Sequence, residues 1–145
     1  MARQFPEITS YASAFSFALE AERACADIAA AADILAANET WREKFEEIVC
    51  AHDDRVEKLA AQRQAADVPV RTLHAQEYLP ALGGEPAQTW PAIAQQLIAA
   101  ELAAARFEEE FARECAAILG SSVRLFAKSA EQARTCAEEL QALLG

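Results

Sequence analysis

The glycines and prolines constrain this chain most, because they stand between four long alanine-rich stretches and almost never inside them. Alanine is the strongest helix former and makes up about a quarter of the residues. The expected class is therefore all-α. Four helices are predicted, at about residues 10–37, 40–65, 90–119 and 122–143. In the first, Tyr11, Phe15, Ala18, Cys25, Ile28, Ala32 and Leu35 recur at three- and four-residue steps. Thr40 and Glu43 suggest a capping box for the second, whose inner stripe is Phe45, Ile48, Val49, His52, Val56 and Leu59. The third opens on Pro91 and carries a seam of Trp90, Ala94, Leu97, Glu101, Ala104, Glu108, Phe111, Cys115 and Ile118. Ser121 or Ser122 would cap the fourth, with Val123, Phe126, Ala130, Ala133, Ala137, Leu140 and Leu144 on its apolar side.

The link at about 66–88 is far longer than the two to eight residues usual between bundle helices. A helix of about 26 residues is roughly 40 Å long, and some 20 extended residues cover that distance. The link can thus cross the whole molecule. Tight turns make the first two and the last two helices antiparallel pairs, and the crossover lets the third start at the end opposite to where the second finishes. Leu73, Tyr78, Leu79 and Leu82 suggest that the crossover packs onto the helices with a short helical turn. A chain of 145 residues accommodates one such domain.

Glu22 is followed 30 residues later by His52 and 33 later by Arg55, while Glu101 is followed at the same intervals by Glu131 and Arg134. The two sets are offset by 79 throughout, as expected of two diverged hairpins. The pattern resembles the ferritin-like and rubrerythrin-like four-helix bundles, in which each hairpin supplies one Glu and then a Glu-x-x-His to two iron or manganese ions. The resemblance implies an all-α, ferritin-like four-helix bundle of two antiparallel hairpins joined by a long crossover. It places Glu22 and Glu101 on the single-Glu positions and Glu131 on the Glu of the second motif. His52 stands where the first motif has Glu, and Arg55 and Arg134 stand where both motifs have His.

A guanidinium offers only N–H donors and stays protonated, so it cannot ligate a metal. It also repels a nearby cation. The residues instead suit an internal ion-pair network of Glu22, His52, Arg55, Glu101, Glu131 and Arg134, held by charge-assisted hydrogen bonds. Two other readings compete. One is an asymmetric iron or manganese site of Glu22, His52, Glu101 and Glu131, with Glu108 or Glu47 as an extra carboxylate, in a metal-dependent oxidoreductase or iron-handling protein. The other places the same residues at solvent-facing boundary positions. The favoured expectation is a non-catalytic structural or protein-interaction bundle without a cofactor.

The remaining features are weaker. Net charge is −10 at pH 7, which argues against nucleic acid and anionic membranes as partners. Neither a leader nor a membrane-spanning run is evident, so a cytoplasmic location is expected. Cys25, Cys50, Cys115 and Cys136 form no C-x-x-C pair and read as reduced thiols, Cys25 and Cys115 in the core. His74, a lone histidine in the crossover, reads as solvated. Phe17, Trp41 and Phe107 fall off the main stripes and suggest an apolar surface patch at which a homodimer would form.

Overall fold

The computed structural model describes residues 3–63 and 68–145, and no strand occurs among them. The four long helices are α1 (Tyr11–Leu35), α2 (Glu39–Ala61), α4 (Ala92–Glu114) and α6 (Ser122–Leu144), with short helices α3 (Leu79–Leu82) and α5 (Ala116–Leu119) between them. No helix of the described residues is long and apolar enough to cross a membrane.

Local chemistry explains the helix ends. Ser10 and Ser13 exchange hydroxyl and backbone N–H bonds in a capping box that starts α1. Helix α2 starts one residue before the expected Thr40, because the extended Asn38 backbone lets its Oδ1 accept from Trp41 N at 3.1 Å. It ends at Ala61; residues 64 and 65, expected to continue it, lie outside the described residues. The predicted third helix is interrupted at Cys115, where φ of −112° and ψ of 21° bend the chain and deliver Leu119 to the core. Gly120, at φ +56°, then reverses direction in a conformation that side chains rarely adopt. Ser121 precedes α6, but its hydroxyl makes no cap.

Ring contacts fix the helix directions. Tyr11 and Phe15, at the start of α1, meet Phe111 near the end of α4, with centroids 5.6 and 6.1 Å apart. Trp41 at the start of α2 meets Trp90, just before α4, at 4.8 Å. Helices α1 and α4 are therefore antiparallel, while α2 and α4 start at the same end. The link begins beside the start of α1, where Tyr11 N donates to Val68 O and Val70 N to Thr9 O, and it finishes at the Trp41–Trp90 contact. It traverses the length of the helices, as its length predicts.

The crossover also decides which seam is closed. A 3-10 turn (Ala75–Glu77) and α3 lay Leu73, Tyr78 and Leu82 on the α1–α4 face, and all three are buried. Tyr78 packs edge-on against Phe17 and Phe107, its hydroxyl bonds Glu110, and Arg106 stacks over its ring while donating to Glu77 O at 2.6 Å. This cover corrects the expected surface patch. Phe17 and Phe107 are fully buried beneath it, and Trp41 is closed in by Phe45 and Trp90. The large apolar side chains that are exposed, Ile34, Val68, Leu102 and Leu143, are far apart in sequence. The expected homodimer therefore loses the residues from which it was inferred.

On the opposite side no strap among the described residues covers α2 and α6. Their facing sides leave a cleft of about 570 Å³, with Lys44 Nζ reaching across to Glu139 at 3.2 Å near one end.

Candidate functional site: a buried charge cluster

Halfway along the helices, Glu22, His52, Arg55, Glu101 and Glu108 lie within the core. Arg55 Nε donates to Glu22 Oε1 at 2.6 Å, and its Nη2 lies 2.8 Å from His52 Nδ1. The opposite ring nitrogen, His52 Nε2, bonds Glu101 Oε1. The Ser129 hydroxyl lies 2.8 and 2.9 Å from the two Glu108 oxygens and 3.4 Å from Glu22 Oε1. Gln132 Oε1 accepts from Arg55 Nη1 at 3.4 Å. Helices α1, α2, α4 and α6 all contribute, so the cluster depends on the whole fold.

Four of the six residues expected in a network are thus together: Glu22, His52, Arg55 and Glu101. Glu131 and Arg134 are not. Both are exposed, and Arg134 Nε pairs with Glu109 at 2.5 Å on the outer surface. Helix rotation explains the correction. At about 100° per residue, Glu131 points nearly opposite the Phe126–Ala133–Leu140 stripe of α6, whereas Ser129 stands three after Phe126 and four before Ala133. The residues of α6 that answer His52 and Arg55 are consequently Ser129 and Gln132, each 77 positions later. Glu108, expected in the seam of the third helix and weighed as an extra carboxylate, belongs to the cluster, and Cys25 lies beside His52 and Glu101. Glu47 is exposed on α2, and His74 is exposed in the crossover.

The charges settle as their surroundings dictate. Burial would raise the Glu22 pKa, but His52 and Arg55 outweigh it and bring it to about 2. Glu22 is a carboxylate. Burial and the Glu22 charge push Glu108 well above the usual carboxylate range, with Ser129 and Arg55 offsetting only part of this, so Glu108 is protonated. For His52, burial favours the neutral ring, yet Glu101 and Glu22 raise its pKa to about 9. Arg55 Nη2 acts against full protonation, because an Nδ1–H would face a guanidinium N–H. The Nε2 proton, held toward Glu101, is common to both forms. One guanidinium and one proton-bearing imidazole therefore stand among the Glu22 carboxylate, the Glu101 side chain and a neutral acid, Glu108. Two acceptors, Glu22 Oε2 and Glu101 Oε2, are buried with no hydrogen-bond partner among the described residues.

The Glu108 shift gives a testable pH dependence. A raised folded-state pKa means that the folded chain keeps a proton the unfolded chain loses above its ordinary value of 4.5. This contribution to stability is full below that value and is lost as pH rises through the folded-state pKa. Glu108→Gln removes the titration. Its melting temperature should lie near the parent's at about pH 4 and above it at about pH 8, by the equivalent of roughly 1 kcal/mol or more. Parallel thermal melts at the two pH values check this, and an unchanged difference would contradict a buried, protonated Glu108.

No protein-family model, curated protein or solved structure matches this chain.

Proposed function

We propose that this protein is a degenerate ferritin-like bundle, non-catalytic, in which an internal ion-pair network replaces a di-metal site. The pairing of the Arg55 guanidinium with Glu22, 2.6 Å apart at the centre of the four long helices, carries this reading. The long crossover and the two antiparallel hairpins support the family comparison. The residues do not fit a pair of iron or manganese ions. Such a pair needs carboxylates and imidazoles with free lone pairs from both hairpins, whereas Arg55 engages Glu22, and α6 offers a hydroxyl and an amide where a Glu and a His would be required. Arg55 supplies the positive charge that a metal would bring.

In this role the network is structural. It fixes the register of α1, α2 and α4 through directional charge-assisted bonds, while apolar packing supplies most of the stability. With Phe17, Trp41 and Phe107 buried, an interaction role loses the residues that suggested it.

The test is iron and manganese loading. Chelator-treated protein offered Fe(II) or Mn(II) should hold fewer than one ion of either per chain after desalting. It should also oxidise Fe(II) in air no faster than buffer does. Two ions per chain with oxygen-dependent colour would contradict the proposal.

A further inference from the structure

We propose that the cleft between α2 and α6 binds a small organic monoanion, a carboxylate with an apolar body. This rests on the reading that Glu22 holds Arg55, which seats the guanidinium in the cleft floor.

The chain has only three lysines and a net charge of −10, yet Lys44, Lys58 and Lys128 all line this one cleft, together with Arg55. Lys44 meets Glu139 and Arg55 meets Gln132 across it, so α2 and α6 run antiparallel. Lys58 follows Arg55 by three residues and Lys128 precedes Gln132 by four. Both lysines therefore stand at one level, a turn beyond the Arg55–Gln132 contact. The acids divide unequally between the two ends. Lys44 lies 3.2 Å from Glu139 and 3.8 Å from Glu47, so that end holds two carboxylates for one cation and repels an anion. At the other end Lys58 already holds Asp54 at 2.8 Å, and Glu131 sits on the rim shared with the outer groove of Arg134. Lys128 has no ion pair among the described residues.

The donors select the ligand. Arg55 is 9% exposed, and its Nη1 makes one contact of 3.4 Å to Gln132 Oε1. A further N–H of Arg55 and the amide N–H groups of Gln132 are left for an acceptor, with the Lys128 ammonium one turn away. Such donors match the two oxygens of a carboxylate. One unpaired lysine answers a single negative charge, whereas a phosphate dianion would bring a second toward Asp54, Glu131 and the buried Glu22. Ile48, Leu59 and Leu125 give the cleft an apolar wall, and its volume of about 570 Å³ is that of a small-molecule site.

Octanoate is the probe, titrated calorimetrically into the full chain, with 1-octanol as its uncharged counterpart and acetate as its head alone. One octanoate per chain is expected, bound about tenfold or more tighter than either control. Lys128→Gln should weaken octanoate about tenfold and leave octanol unchanged. Arg23→Gln, which removes a cation of α1 outside the cleft, should bind octanoate like the parent. Both side chains reach solvent, so neither change threatens the fold. Octanol binding as tightly as octanoate would overturn the proposal, as would undiminished octanoate affinity in Lys128→Gln or no octanoate binding by the parent. Each of these leaves the Arg55–Glu22 reading standing, because iron and manganese loading tests that separately.

Discussion

Arg55→Ala should destabilise the protein by roughly 3 to 5 kcal/mol, because it strands buried carboxylates without their cation. Glu22 has no exposed surface, and its Oε1 takes the Arg55 Nε bond; truncation leaves that oxygen with the more distant His52 and Ser129. For a chain of this length the loss corresponds to a fall in melting temperature of roughly 10 °C or more. Arg134→Ala is the matched control. Its partner Glu109 is 43% exposed and Arg134 itself 44%, so solvent screens the pair and the loss should be about 1 kcal/mol or less. The double variant Glu22→Leu with Arg55→Leu removes both charges together. It should recover most of what Arg55→Ala loses, since replacing a buried pair by apolar side chains avoids an uncompensated charge. Equal melts for Arg55→Ala and Arg134→Ala would mean that the buried pair does not form.

Phe111→Ala should cost a similar amount, about 3 to 5 kcal/mol, through a different mechanism. Phe111 is fully buried one turn beyond Glu108 and touches four aromatic rings, those of Tyr11, Phe15, Phe107 and Phe126, at centroid distances between 5.2 and 6.1 Å. These rings come from α1, α4 and α6, so truncation leaves a cavity where three helices meet. Each well-placed aromatic pair adds about 0.5 to 1.5 kcal/mol beyond burial. Denaturant unfolding at neutral pH measures the loss as a lower midpoint with an unchanged slope. A loss below about 1 kcal/mol would show that the cluster is loosely packed.

The fold was far more legible in the sequence than the cluster. Helix positions follow from periodicity and from Pro and Gly placement, which act locally, and the span of the crossover follows from chain length alone. What escaped is rotational and tertiary. A constant offset of 79 preserved the resemblance between the two hairpins but carried Glu131 and Arg134 onto a face that α6 turns outward. The apolar stripe through Phe126, Ala133 and Leu140 contained the signal, since it places Ser129 inward. A serine, however, carries no charge pattern to draw notice. Phe17 and Phe107 escaped for another reason: their burial depends on Tyr78 arriving from a distant segment, and helix periodicity cannot register that. Glu108 lay in the seam, but its proton depends on complete burial together with the nearby Glu22 charge, neither of which one helix's periodicity fixes.

The most direct measurement is a high-resolution crystal structure of metal-exposed protein, with anomalous data at the iron and manganese edges. The Arg55 guanidinium should be seated on Glu22 inside the bundle, with the Glu108 carboxyl against Ser129 and no metal bound to Glu22. Two anomalous peaks bridged by Glu22 and Glu101, with Arg55 swung out into the cleft, would contradict this arrangement.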